Sequence, residues 1–112
     1  MHAVVETPSY LADAEKLLSV DEREAIVDQL AADPKCGVVI QGTGGIRKVR
    51  FGLGNQGKRG GARIIYIFGG GDIPVFLLTV FAKNEKSDLS AAARTKLGTH
   101  VAAMLADYRR HK

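Results

Sequence analysis

The chain has 112 residues, which is enough for one hydrophobic core, so we expect residues 1–112 to form one domain. Its apolar, aromatic and charged fractions are ordinary for a globular protein and exclude a disordered or fibrous chain. No apolar run approaches the length of a membrane span, and the first residues have no signal-peptide pattern, so we expect no membrane partner and no export.

Cysteine and histidine are too few and too scattered to predict a metal site. Cys36 is the only cysteine, and the three histidines are His2, His100 and His111. This set contains no recognisable zinc-ligand spacing, and no other motif requires a cofactor, so we expect none. A single cysteine also fits a reducing compartment, and we therefore predict a cytoplasmic protein.

The net charge of +4 is the sum of two very different halves. Residues 1–33 contain eight acidic and two basic residues, whereas residues 34–112 contain fourteen basic and four acidic ones. A segregated basic half is typical of proteins that bind a polyanion, most often a nucleic acid. A solvated basic surface without a partner has the same charge and stays open as an alternative.

A short β-prone run, residues 2–6, precedes the first predicted helix. Thr7 is a good N-cap and Pro8 suits the first helical position, so this helix should extend to about Leu18.

The second predicted helix begins with a capping box. Ser19 is followed three residues later by Glu22, whose side chain can return to the N-cap amide. The helix should end at Asp33, because the residue before Pro34 avoids the α region. We expect residues 35–45 to form a Gly-rich loop.

Three strand-like runs follow, at residues 46–51, 62–68 and 75–81, with a glycine-rich hairpin at 69–72 between the last two. Ser90 is then a candidate N-cap for a closing helix. The predicted order is therefore β-α-α-β-β-β-α. This order indicates an α+β fold with a small, mainly antiparallel sheet, two N-terminal helices and one C-terminal helix.

Strand alternation predicts a cationic face on this sheet. In the first run, Val49 should face the core while Lys48 and Arg50 face the other way. The second run is apolar on both faces except near Arg63, which predicts a central strand. With Arg47, Lys58 and Arg59, six basic residues and no acidic residue lie between positions 47 and 63.

A nucleotide-binding loop is the first alternative for the glycine-rich segment. Gly52 to Lys58 matches the P-loop spacing, but Arg59 stands where Ser or Thr would bind magnesium. A β-rich run follows in place of the helix whose N-terminal amides would hold phosphates. The segment therefore does not predict nucleotide hydrolysis.

The basic cluster suits cleavage of a phosphodiester by its own 2′-hydroxyl. This reaction needs a base for the attacking oxygen, an acid for the leaving oxygen, and stabilisation of the charge that builds on phosphorus. Guanidinium groups suit the last task through paired contacts to phosphate oxygens. A passive RNA-docking face has the same composition and also stays open.

Three segments together resemble the RelE/HigB toxins of bacterial type II toxin–antitoxin systems, within the RelE/ParE superfamily. They are Gly44 to Phe51, Gly57 to Tyr66 and Ala82 to Ser90, and the resemblance covers nearly the whole chain. It implies a RelE-like fold and a metal-independent, ribosome-dependent endoribonuclease that cuts mRNA in the A site and inhibits translation. It also implies a cognate antitoxin, expected to be a helix-turn-helix DNA-binding protein, and contact with operator DNA through the complex.

The resemblance also assigns roles to residues. It implies that Arg63 binds the phosphate and that Lys83 and Glu85 lie in the catalytic segment after the last strand, and we predict Lys58 as a further catalytic residue. The residues expected to bind RNA are Lys48, Arg50, Arg59, Arg47 and Lys86. Asn84 and Ser90 stand where the best-known RelE pattern has an arginine and a tyrosine, so the general acid and base stay unassigned.

Two other functions fit the same sequence. One is a non-catalytic module that binds RNA or the ribosome through the basic sheet. The other is a ParE-like inhibitor of DNA gyrase from the same superfamily.

Overall fold

The computed structural model describes residues 2–52, 61–70, 73–82 and 90–110, and within them the chain forms three helices and five strands. The strands are β1 Val4–Glu6, β2 Val38–Val39, β3 Ile46–Phe51, β4 Ala62–Phe68 and β5 Val75–Ala82. The helices are α1 Pro8–Leu17, α2 Val20–Ala32 and α3 Ala91–Arg110. The α+β fold class is confirmed, and the order of elements agrees with the predicted one except for one additional strand.

The additional strand is β2, in a segment for which the sequence predicts only a loop. Val38 and Val39 pair antiparallel with Lys48 and Arg47 of β3. Both valines are exposed, at 65% and 49%. A strand of two residues has no measurable alternation, and it forms here because the neighbouring edge of β3 supplies its hydrogen-bonding partners.

The N-caps of α1 and α2 agree with the predicted ones. The Thr7 hydroxyl accepts a hydrogen bond from the Tyr10 amide at 3.3 Å, at the start of α1. At the start of α2, the Ser19 hydroxyl accepts from the Glu22 amide, and the Glu22 carboxylate accepts from the Ser19 amide. These bonds satisfy amides that have no intrahelical partner.

The five strands form one mixed sheet in the order β1-β5-β4-β3-β2. β1 runs parallel to β5, and the other three pairs are antiparallel. β4 therefore lies at the centre of the sheet, as its apolar character on both faces predicts.

Each face of the sheet carries its own hydrophobic layer. On the first face, α1 and α2 pack Tyr10, Ile26 and Leu30 against a strand surface that includes Ile64 and Tyr66. On the second face, α3 packs Val101 against a surface that includes Ile65 and Ile67. We call these the α1/α2 face and the α3 face. No helix in the described parts of the chain has the length and apolar character to cross a membrane.

Candidate functional site

The register of β3 against β4 brings three cations together on the α3 face of the sheet. Lys48 lies opposite Ile65, and Arg50 lies opposite Arg63. Since side chains on one face of a sheet alternate in steps of two, all three cations point to the side on which Ile65 packs. The predicted placement of Lys48 and Arg50 opposite to Val49 is confirmed.

The three cations line an open cleft of about 270 Å³, together with Val38 and Val49. No acidic residue is among the described residues that line it. Directly opposed residues on antiparallel strands have Cβ atoms about 5 Å apart, so the Arg50–Arg63 pair places two like charges side by side. Such a pair destabilises the sheet unless an anion binds between the guanidinium groups.

Arg63 has a hydrogen-bond donor that the described residues leave unused. Its Nη1 atom is buried and has no hydrogen-bond partner among the residues that the structure describes. A buried donor without a partner costs about 1–3 kcal/mol, and more when it is charged. In the sheet, Arg63 lies between Arg50 of β3 on one side and Phe81 of β5, a buried residue, on the other. The arrangement fixes a guanidinium at the cleft with part of its hydrogen-bonding capacity unused.

Arg47 does not belong to this cleft, which differs from its expected place on the positive face. It lies opposite Tyr66, on the α1/α2 face. Its Nη1 atom donates to the carbonyl oxygens of Gly37 at 2.7 Å and Lys35 at 3.3 Å. Arg47 therefore holds the 35–37 loop that leads into β2. It points away from the cleft, which differs from its predicted contact with RNA on the cationic face.

Tyr66 anchors the same loop from inside the core. Its side chain is completely buried on the face opposite Arg63, as alternation predicts. The hydroxyl donates to the Pro34 carbonyl at 2.8 Å and accepts from the Gly37 amide at 2.9 Å. Burial raises the pKa of Tyr66 to about 12, which suits a structural hydroxyl and not a group that exchanges protons at neutral pH.

A matched pair of substitutions tests this anchoring role. Tyr66→Phe should lower the free energy of unfolding by about 1–3 kcal/mol, because it leaves the Gly37 amide and the Pro34 carbonyl without their partner. Tyr10→Phe should change it by less than about 0.5 kcal/mol, because the equally buried Tyr10 hydroxyl has no hydrogen-bond partner among the residues that the structure describes. Urea denaturation of both variants measures the difference, and equal effects would contradict the anchoring role.

Alkaline pH provides a second test of the two tyrosines. Burial raises the pKa of Tyr10 and of Tyr66 from 10.0 to about 12. The unfolded chain therefore loses these protons first as pH rises, and stability should fall between about pH 10 and 12, by up to about 1.4 kcal/mol per pH unit for each tyrosine. Below pH 10 both hydroxyls keep their protons in the folded and in the unfolded chain, so these two groups make no contribution to the pH dependence of stability. Urea titrations across this range should show a shallower fall in each Tyr→Phe variant, and an unchanged slope would contradict the assignment.

The remaining predicted site residues lie outside the described residues. They are Lys58 and Arg59 of the segment between β3 and β4, and Lys83, Glu85 and Lys86 after β5. The ends of the described strands show only where these segments start. Ala62 and Ala82 are directly paired, so β4 begins and β5 ends at the same end of the sheet. Phe51 of β3 pairs with Ala62 at that end, next to the Arg50–Arg63 pair.

Two features of the site have no signal in the sequence. Val38 lines the cleft because β2 pairs with β3, and Gly37 is packed so closely that a methyl group would lie 2.7 Å from the Lys48 carbonyl oxygen. Both features become visible only in the fold, because each depends on the pairing of β3 with a distant segment. The described residues contain no group of three or more His, Cys, Asp or Glu side chains that could hold a metal ion.

No protein-family model matches the chain. Among solved structures, the chain is similar to the free-state structure of the Escherichia coli toxin RelE in a form with two arginines replaced by alanine. The TM-score is 0.55 and the sequence identity is 16%, over 77% of this chain and 87% of that chain. At this identity the similarity is one of fold, and the chain therefore has a RelE-like fold.

Proposed function

We propose that the chain is the toxin of a type II toxin–antitoxin system, and that it acts as an endoribonuclease on mRNA in the A site of the ribosome. The observation that carries the proposal is the buried Nη1 atom of Arg63, which has no hydrogen-bond partner among the described residues. Arg63 lies beside Arg50 in a cleft whose described lining contains no acidic side chain. The RelE-like fold supports the same function, since the structural neighbour is itself a toxin.

In the proposed reaction, the ribose 2′-hydroxyl attacks the adjacent phosphorus, and the bond from phosphorus to the 5′-oxygen breaks. Arg63 binds the non-bridging phosphate oxygens and stabilises the negative charge of the pentavalent transition state. A base takes the 2′-proton and an acid gives a proton to the leaving 5′-oxygen. The products are a 2′,3′-cyclic phosphate and a free 5′-hydroxyl.

Lys48 and Arg50 are proposed to bind the RNA backbone on either side of the reacting phosphate. The candidates for proton transfer are Lys58, Lys83 and Glu85, and we propose that Arg59 and Lys86 add contacts to RNA. No described residue of the cleft is a carboxylate or histidine, and we propose that the base and acid come from Lys58, Lys83 and Glu85 or from the RNA and the ribosome.

The salt dependence of RNA binding tests the roles of Lys48 and Arg50. For single-stranded RNA, each phosphate contact contributes about −0.7 to the slope of log K against log salt concentration. Lys48→Ala and Arg50→Ala should each reduce the magnitude of the slope by about this amount, whereas Arg47→Ala should leave it unchanged. Titration of a fluorescent oligoribonucleotide at several salt concentrations provides the measurement. A slope reduced by Arg47→Ala and not by Arg50→Ala would contradict the placement of the site.

The activity is tested with purified protein, mRNA and ribosomes. We expect cleavage of mRNA in programmed ribosomes and little cleavage of the same RNA alone. Binding to ribosomes without cleavage would favour the non-catalytic module, and inhibition of DNA supercoiling by gyrase would favour the ParE-like function. A cognate antitoxin should abolish the cleavage; we propose a helix-turn-helix protein that brings the complex to its operator DNA.

A further inference from the structure

An exposed valine of β2 lies beside the cations of the basic cleft. Val38 lines the cleft together with Lys48, Arg50 and Arg63. Its side chain is 65% exposed. Single exposed valines are common on protein surfaces, so the exposure alone indicates no function. The position of Val38 is informative, because it places an apolar surface next to guanidinium groups that are suited to a phosphate.

The strand register decides which of the two exposed valines of β2 reaches the cleft. Val38 pairs with Lys48, and Val39 pairs with Arg47. Directly paired residues share a face of the sheet, so Val38 lies on the face of Lys48 and Val39 on the opposite one. Val39 is 49% exposed and is not among the described residues that line the cleft. Val39 therefore provides a matched control for Val38.

The backbone is tethered on both sides of Val38. On one side, the Gly37 amide donates to the Tyr66 hydroxyl at 2.9 Å. On the other side, the Ile40 amide donates to the Ile46 carbonyl at 2.8 Å. The valine side chain has a single χ angle and little conformational freedom to lose on binding. The apolar surface beside the cations is therefore held in place before any ligand arrives, which lowers the free-energy cost of binding.

Cations and an apolar side chain in one cleft fit the two parts of a nucleotide. Phosphate oxygens accept charge-assisted hydrogen bonds from guanidinium groups, which Arg50 and Arg63 supply. A nucleobase has an apolar face, and contact with an apolar side chain removes that face from water whichever base it is. A free phosphate would use the cations and leave Val38 in water. A ligand that joins an anion to a planar apolar group uses both features of the cleft.

We propose that Val38 forms a base subsite of the cleft, where it packs against the face of a nucleobase next to the phosphate that Arg50 and Arg63 bind. This inference rests on the proposed binding of RNA in the cleft. The contact is apolar, so it adds affinity without selecting among the four bases. A base held at this point restricts the ways in which the flexible RNA backbone presents its phosphate to Arg63.

The test uses the full-length protein with isotopically labelled valine methyl groups and backbone amides, without ribosomes. The probe is a short oligoadenylate, compared with an oligomer of the same length and charge that lacks the bases. The Val38 methyl resonances should shift upfield and saturably with the oligoadenylate, because a methyl group over the face of a base is shielded by the ring. They should shift much less with the abasic oligomer, and the Val39 methyl resonances should shift with neither.

The outcomes separate the base subsite from the binding of RNA by the cleft. Equal Val38 shifts with the abasic oligomer, or with a glutamate-rich peptide, would overturn the proposal. Shifts of the Arg50 and Arg63 amides with unchanged Val38 methyl resonances would overturn the base subsite and leave the RNA-binding cleft in place. No shift at any of these residues would remove both.

Substitutions test the apolar character of the contact. Val38→Thr keeps the shape of the side chain and replaces a methyl group with a hydroxyl, so it should weaken oligoadenylate binding about three- to tenfold. It removes no charge and should leave the slope of log K against log salt concentration unchanged, in contrast to Arg50→Ala. Val39→Thr makes the same chemical change outside the cleft and should not alter the affinity. Both valines are exposed, so both variants should fold. An unchanged affinity in Val38→Thr, or a reduced salt slope, would overturn the proposal.

Discussion

Replacing Arg63 with alanine is expected to lower the rate of mRNA cleavage on ribosomes by about 100- to 1,000-fold, the usual effect of removing one donor that stabilises a transition-state anion. Arg63 lies opposite Arg50 and Phe81 in the sheet, and its Nη1 atom is buried with no hydrogen-bond partner among the described residues. Among these residues, the donor has no hydrogen bond to give up when the guanidinium binds a phosphate. Single-turnover cleavage by the purified variant measures the loss.

The same substitution should leave the free energy of unfolding within about 1 kcal/mol of the original value. Removing the buried, unpartnered donor and the repulsion with Arg50 stabilises the sheet, whereas losing the packed stem destabilises it. Stability that is retained while activity is lost is typical of a residue placed for function. Arg63→Lys should retain part of the activity, because it preserves the charge and loses the paired donors.

Arg109→Ala is the matched control for Arg63→Ala. Arg109 is exposed near the end of α3, so its removal changes the net charge equally and should not change the cleavage rate. Cleavage by Arg63→Ala at the original rate would remove Arg63 from the mechanism. A loss of several kcal/mol in stability would show that the residue is structural.

Gly37→Ala is expected to be the most destabilising of the small substitutions, with a loss on the order of 3 kcal/mol. The new methyl group would lie 2.7 Å from the Lys48 carbonyl oxygen and 2.7 Å from the Tyr66 hydroxyl oxygen. Both atoms belong to the sheet and its core, so relief of the clash requires the 34–37 loop to move away. That movement would break the hydrogen bonds from the Gly37 amide to Tyr66 and from Arg47 to the Gly37 carbonyl.

Gly52→Ala is the control for Gly37→Ala. A methyl group at Gly52 would have no atom of the described residues within 4 Å, and the Gly52 backbone does not have a positive φ angle. We therefore expect a change of less than about 0.5 kcal/mol. Urea denaturation compares the two variants, and a Gly37→Ala variant as stable as Gly52→Ala would contradict the close packing described for the loop.

Much of the fold could be predicted from local patterns. The Thr7-Pro8 pair and the Ser19–Glu22 capping box define helix starts by interactions within a few residues, and both caps are present. The alternation of Val49 with Lys48 and Arg50 is equally local, because successive side chains of a strand point to opposite faces. Signals of this kind depend little on the rest of the chain.

Features that depend on distant partners could not be predicted in the same way. β2 contains only two residues, so no period distinguishes it from a loop, and it exists because β3 offers an edge. Arg47 is next to Lys48 in a basic segment, which favours counting it with its neighbours, although strand alternation places it on the opposite face, where it binds the 35–37 loop. The unpartnered atom of Arg63 is a property of the packed sheet, which no spacing of residues in the sequence indicates.

Mapping of mRNA 5′ ends in cells that express the protein tests whether the cleft cleaves mRNA on the ribosome. We expect new 5′-hydroxyl ends within translated regions, in phase with the codons, and we expect their loss in Arg63→Ala but not in Arg109→Ala. Growth arrest without such ends, or the same ends in the Arg63→Ala variant, would contradict the claim that this cleft cleaves mRNA on the ribosome.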